Sequence, residues 1–282
     1  MKENIIALIT ARGGSTRIPR KNLYPLCGHP LIAWSIIQAK GASLVDQVYL
    51  TTDDEEIAEV ALHYGAAVIM RPVWENGVTA GVAYKHAMDE IGAVNHILTM
   101  LPTSPLKMPY DINSMIKAYL ESNALVMTGA APMKEMCVLK NTVPFESRYG
   151  ADFNTPGERS NKLVFEAEYA IFDKYWNYSK LEGGCSISEY NWIMQQWSGS
   201  PRLDVDIDGS VKTDVNAGGP RSYYALEEWQ CNDLDYPEDI QFVECLLENM
   251  IVKGRSIYET YGVREPAKAY GNSNQVRYAN AN

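Results

Sequence analysis

The chain has 282 residues, 46% of them hydrophobic and 21% charged, which is ordinary for a globular protein large enough to bury a substantial core. A net charge of −10, with no long basic stripe, argues against a nucleic-acid-binding surface. No run of 18 apolar residues and no leader of signal-peptide form appears, so a cytoplasmic chain without membrane association is expected, with five scattered cysteines as reduced thiols.

The first element is an apolar run, Ile5 to Ile9, which reads as a buried parallel strand. It leads into Gly13 and Gly14, where the backbone can approach a ligand closely. Arg12, Arg17, Arg20 and Lys21 put four cations within ten residues. Backbone N–H groups beside clustered cations suit a polyphosphate. The spacing is neither that of a Walker A loop nor that of a GxGxxG dinucleotide turn.

Downstream, strand and helix alternate. Pro30 to Lys40 has helical spacing, 45–52 reads as a strand, and 53–65 as a helix with acids at its start and Gly65 beyond its end. A strand over 66–70, a helix over 79–91, a strand over 96–101, a helix over 111–122 and a strand over 124–131 follow. This order predicts an open, mainly parallel, Rossmann-like α/β sheet flanked by helices. Ligands of such sheets bind beyond the carboxyl ends of the strands. The basic loop, Asp53 with Asp54, and Pro102 to Ser104 all fall there.

Residues 140–230 are richer in Tyr, Trp, Asn, Gly and Ser. Strands are expected over 162–172 and 201–207, and a helix over 186–197. A final helix is expected over 237–250. The reading is a single domain, residues 1–265, with an insertion at about 140–230 and a polar tail over 266–282.

Asp233 and Asp235, in NDLDYPED, would share a face if that segment were a strand, and could then hold a hard cation. The alternative is a solvated stretch that caps the helix beginning near Pro237. Asp204, Asp206, Asp208 and Gly209 match half of an EF-hand loop, but Val215 stands where its last ligand should be, so a hairpin turn or a loose cation site is preferred. The four histidines have no metal-ligand spacing. Trp192, Trp197, Tyr223, Tyr224 and Trp229 read as core or interface before a sugar platform.

Several ordered segments, ARGGSTRIPRKNL (11–23), PLCGHPLIAWSI (25–36), TTDDEEIAEVALHYGA (51–66), LPTSPLK (101–107) and NDLDYPEDIQFVE (232–244), resemble the acylneuraminate cytidylyltransferase family. The likeness covers residues 1 to about 130 and the last core segment. It implies a nucleotidyltransferase (GT-A-like) fold and Mg²⁺-dependent transfer of CMP from CTP to a hydroxyl of an acidic sugar such as a nonulosonate, in a homodimer. It implies that Asp233 and Asp235 hold the metal, and that Arg12 and Lys21 stabilise the triphosphate. The other expected nucleotide contacts are Ala11, Gly13, Gly14, Ser15, Arg17, Asn22, Arg71, Thr79, Thr103 and Ser104, with Asn22 and Arg71 near the base.

The chain departs from the family at Thr16, where a lysine is usual, at Leu101, where glutamine is frequent, and at Glu166 and Glu168, near where an arginine usually meets the sugar carboxylate. Arg159 and Lys162 are the alternative cations for that role. Two other readings therefore stay open: CMP transfer to a non-sugar acid such as a phosphonate, and a catalytically decayed nucleotide-binding protein.

Overall fold

The computed structural model describes residues 3–74, 80–130, 182–191, 194, 221–265 and 276–278. Within these, eight strands form one twisted sheet. In chain order they are β1 (Ile5–Ala11), β4 (Gln47–Thr52), β5 (Ala67–Met70), β6 (His96–Met100), β7 (Val126–Ala130), β8 (Glu182–Glu189), β9 (Arg221–Ala225) and β10 (Val276–Tyr278). A two-stranded ribbon, β2 (Pro25–Leu26) and β3 (His29–Pro30), stands apart from it. The spatial order of the large sheet is β10-β5-β4-β1-β6-β8-β7-β9. β1 lies parallel to β4 and β6, and β4 parallel to β5. β8 is antiparallel to both of its neighbours.

β1 shows why its sequence is continuously apolar. Ile5, Ala7 and Ile9 pack into one hydrophobic cluster, while Ile6 and Leu8 pack into another on the opposite face. Successive side chains alternate faces, so both must be apolar when both are covered. One face is covered by α1 (Leu31–Gly41), α2 (Glu55–His63) and α4 (Pro109–Glu121). α3 (Ala80–Ile91) covers the other through Tyr84, Ala87 and Met88. Trp34 of α1 is fully buried and donates its indole N–H to Leu26 O at 3.1 Å, so the ribbon is fixed to the core.

Near the end of the chain, α5 (Pro237–Leu246) continues as a π-helical turn, Leu247–Val252, before α6 (Ile257–Tyr261). The expected single helix over 237–250 is thus an α-helix with a π-helical end. The helix expected over 186–197 is corrected more strongly. Ser186 to Glu189 complete β8, pairing with β6 and β7, and helical geometry begins only at Tyr190. The polar residues of Ser-Ile-Ser-Glu fit a strand that buries Ile187 fully. The segments 162–172 and 201–207 lie outside the described residues, as do the Asp204–Gly209 turn, Arg159, Lys162, Glu166, Glu168, Trp192 and Trp197. Tyr224 and Trp229, two of the aromatic residues read as core or interface, pack against the main core. No described helix is long and apolar enough to cross a membrane.

Candidate active site

The parallel strands β1, β4, β5 and β6 all end on one edge of the sheet, and there the chain forms a cleft of about 400 Å³. Its walls include Arg12, Gly14, Ser15, Lys21 and Asn22 from the loop after β1. Asp53 follows β4, Arg71 and Trp74 follow β5, and Leu101 to Thr103 follow β6.

The basic loop is braced from the β4 end. Gly13 donates its N–H to Asp53 Oδ1 at 2.9 Å. A Cβ on Gly13 would sit 2.4 Å from Asp54 Oδ2, so only glycine lets the two segments meet. Arg20 adopts a left-handed backbone (φ 54°) and turns its guanidinium onto Asp54 and Glu56. Asp54 also caps α2 by accepting the Ile57 N–H at 3.0 Å. The hydrogen bond from Arg20 holds the Asp54 carboxyl below its usual range, against the opposing effect of burial. Ser15 spends its N–H on Gly13 O at 3.2 Å. The Gly13 and Ser15 N–H groups are therefore already taken, one by Asp53 and one within the loop.

Ala11 is buried at the end of β1, and its carbonyl receives Arg71 Nη2 at 3.4 Å. Asn22 is buried too, and its side-chain N–H₂ holds the Arg12 carbonyl at 2.9 Å. The Arg12 side chain is exposed and makes no ion pair among the described residues. Arg71 has a side chain only 6% exposed, 3.5 Å from Asp53 Oδ2 and stacked over Trp74 at 5.0 Å. Its Nε is buried without a hydrogen bond among the described residues. Burial pulls its pKa down, the Asp53 charge opposes that, and Arg12 adds to it. Asp53 thus connects the glycine loop and Arg71.

Asp233 and Asp235 do not lie on a strand. They follow a 3₁₀ turn, Glu228–Cys231, in an irregular stretch before α5. Asp239 accepts the N–H groups of Asp235 and Tyr236 at 2.8 and 2.7 Å, so the capping carboxylate of α5 is Asp239. Asp235 is left for other work. Lys21 Nζ donates to its Oδ1 at 2.8 Å, and Arg17 lies 3.1 Å from its Oδ2. Burial works to raise the Asp235 carboxyl, but Lys21 and Arg17 outweigh it and hold the carboxyl below its usual range. Arg17 also lies over the Tyr236 ring at 4.8 Å, so in this state it faces a carboxylate rather than open cleft.

Asp233 accepts a short hydrogen bond from Ser104 Oγ. Its carboxyl is pushed up, first by burial and then by Asp235, with Ser104, Lys107 and Lys21 opposing. Thr103 lends its carbonyl to Leu234 N–H at 2.8 Å. Thr103 and Ser104 therefore clasp the segment carrying the two aspartates. Thr16 is exposed, and Thr79 lies outside the described residues.

Two carboxylates are a suitable protein share of a Mg²⁺ site whose other ligands are phosphate oxygens and water. No cluster of three or more His, Cys, Asp or Glu side chains able to hold a metal occurs among the described residues, so the pair is the donor set that the described residues offer there. Trp74 and Lys107 were not singled out in the sequence. Asp53 was placed at the right strand end but given no role.

A mixed α/β sheet with one antiparallel strand, and a basic glycine loop and an aspartate pair at its carboxyl edge, defines a nucleotidyltransferase-type protein. The cytidylyltransferase family profile matches residues 6–147, about half of the chain, and the chain belongs to that family.

Among curated relatives, pseudaminic acid cytidylyltransferase of Campylobacter jejuni (strain 81-176) is 39% identical over 108 residues, 36% of this chain and 47% of that one. The N-acylneuraminate cytidylyltransferase of Oncorhynchus mykiss is 46% identical over 272 residues, 93% of this chain and 59% of that one. The chain spans about half the length of these relatives. The solved structure of CMP:2-keto-3-deoxy-manno-octonic acid synthetase complexed with CTP superposes with a TM-score of 0.64 at 17% identity, covering 88% of this chain and 99% of that one. At that identity the likeness concerns the fold.

Proposed function

We propose that this chain is a Mg²⁺-dependent cytidylyltransferase that moves CMP from CTP to a hydroxyl of an acidic sugar, a nonulosonate or similar, with release of pyrophosphate. The observation that carries the reading is the meeting of Lys21 and Asp235 across 214 residues, which sets the aspartate pair against a lysine that lines the cleft. In this reading the acceptor hydroxyl gives its proton to solvent as its oxygen bonds the α-phosphorus, and the bond from that phosphorus to the bridging oxygen breaks, with the electrons leaving on pyrophosphate. Arg12 and Lys21 stabilise the charge that gathers on the departing phosphates. Gly14 and Ser15 shape the floor of the cleft beneath them. Arg71, seated between Asp53 and Trp74, and Asn22 face the nucleobase.

Asp233 and Asp235 would hold Mg²⁺, with Arg17 moving from Asp235 to a phosphate oxygen and leaving Oδ2 to the metal. When bound, the metal supplies Lewis acidity at the phosphates and lowers the pKa of the attacking hydroxyl. Ser104 keeps Asp233 oriented. The names of the two relatives, an N-acylneuraminate and a pseudaminic acid enzyme, support an acidic sugar as acceptor. A homodimer, which rests on family resemblance, and a cytoplasmic setting belong to the same proposal.

Calorimetric titration with CTP, UTP, ATP and GTP, with and without Mg²⁺, tests the first half of this reading, and pyrophosphate release with a panel of acidic sugars tests the second. Selective, Mg²⁺-enhanced CTP binding followed by turnover is expected. Equal binding of all four nucleotides sinks the cytidylyl assignment. CTP binding without turnover on any acid turns the weight to a decayed enzyme.

A further inference from the structure

Lys107 is 1% exposed, the most deeply buried basic residue among those described. An ammonium removed from water costs several kcal/mol unless it is paired, and lysine is among the residues least often buried. Its place in the fold therefore needs a reason, and lining the cleft is not one, since it does not do so.

Its contacts supply the reason. Lys107 Nζ donates to the Ser104 carbonyl at 2.8 Å. The hydroxyl of that same Ser104 donates to Asp233. The preceding residue, Thr103, accepts the Leu234 N–H. Lys107 thus holds from beneath the turn that clasps the aspartate segment from above. The titratable groups facing it come from four segments: Asp233, Asp111 of α4, the Cys185 thiol of β8 and the Cys231 thiol of the 3₁₀ turn. Asp111 is itself occupied, accepting Met108 N–H at 2.9 Å and Gln230 Nε2 at 2.6 Å. Burial draws the Lys107 pKa down, and both carboxylates draw it back up. Reciprocally, the Lys107 charge works against the upward pull of burial on Asp233.

We propose that Lys107 is a positioning residue for the transfer reaction, whose buried ammonium and hydrogen bond to the Ser104 carbonyl hold Ser104 against Asp233. This rests on the reading of Asp233 as a site carboxylate. It gives the buried cation a task that balancing Asp111 alone would not require.

The rival role is purely structural, a counter-charge for buried Asp111. Lys107→Met, Asp111→Asn, the double variant and Ser104→Ala separate the two. Lys107→Met should lower both Tm and kcat, because it leaves a buried carboxylate without its cation. In Lys107→Met/Asp111→Asn the buried charges leave together, so Tm should recover. If Lys107 positions Asp233, kcat of the double variant stays at least about tenfold down, with the Kd for CTP within about threefold of wild type. Ser104→Ala should reproduce that kcat loss. Adding Lys107→Met and Asp111→Asn to it should cost little more, since both changes break one chain of contacts.

Recovery of kcat along with Tm in the double variant overturns the proposal, as does full additivity with Ser104→Ala. Should no Lys107 variant fold, Ser104→Ala alone decides, and wild-type kcat in it overturns the proposal. Wild-type protein that transfers nothing from CTP would instead sink the cytidylyltransferase reading and take the Lys107 role down with it, an outcome distinct from the others.

Discussion

Two residues of the glycine loop carry opposite burdens. Arg12 is exposed and unpaired among the described residues, whereas Arg20 is committed to Asp54 and Glu56. A charge-assisted hydrogen bond is worth about 1.5–3 kcal/mol. Arg12→Ala should therefore weaken CTP binding by roughly 10- to 100-fold with almost no change in Tm, read by calorimetry beside a melting curve. A large fall in Tm with intact CTP binding would show that the side chain serves the fold. For Asp54 the expectation concerns pH. Its folded pKa lies below the ordinary 3.8, so its ionic contribution is present above about pH 4 and is lost as pH falls through the lower folded value. Asn caps a helix as well as Asp, so Asp54→Asn isolates the charge. Because Arg20 is 44% exposed, the deficit in Tm should be small, about 1–3 °C at pH 7. It should close in acid, and a deficit unchanged at pH 3 would contradict an ionic origin.

At the scale of the element, β8 is the strand on which the site depends and which its sequence conceals. Gly184 takes φ +56°, and a Cβ there would lie 2.0 Å from Ser104 Oγ. Its carbonyl receives the Leu101 N–H at 2.8 Å. Gly184→Ala should then cost about 1 kcal/mol or more in stability through backbone strain alone. It should also lower kcat, because Ser104 must move away from Asp233. Unchanged kcat would separate β8 from the site. The alternation from β1 to β7 was legible because short strands rich in apolar and β-branched residues alternate with helically spaced segments, some of them marked at their ends. Ser186 to Glu189 was not legible, because an antiparallel strand inserted between parallel ones follows no local period that distinguishes it from the helical residues beyond. Arg12 and Lys21 stood out by type and spacing, whereas the spacing of Asp233 and Asp235 left them open and the family resemblance singled them out. Lys107 did not stand out, since nothing in Pro-Leu-Lys reveals that the ammonium turns inward. The same limit applies to Asp239, whose capping role leaves Asp235 available.

Across the whole molecule, Lys21 and Arg17 tie the loop after β1 to Asp235 near the other end of the chain, and the aspartate pair held there carries a charge strain. Asp233 is half-buried beside Asp235, and its folded carboxyl is raised above 3.8. A raised carboxyl means the folded state holds the proton more tightly than the unfolded one. The ionised form is then a cost to folding at neutral pH, and the cost disappears as pH falls through the raised value toward 3.8. Asn at this position would still accept the Ser104 hydrogen bond without carrying charge. Asp233→Asn should accordingly melt a few degrees above wild type at pH 7–8, with the gain shrinking in acid, while CMP transfer falls by at least about 100-fold. Ligand linkage provides the decisive contrast. A ligand present at 100 times its Kd adds about 2.7 kcal/mol to the stability of a protein that binds it only when folded. With saturating CTP and Mg²⁺ the order of melting temperatures should reverse, wild type above Asp233→Asn, and EDTA should restore the original order. If Asp233→Asn stays the more stable protein under CTP and Mg²⁺, Asp233 does not hold the metal, and the charge strain at this edge of the sheet serves some other end.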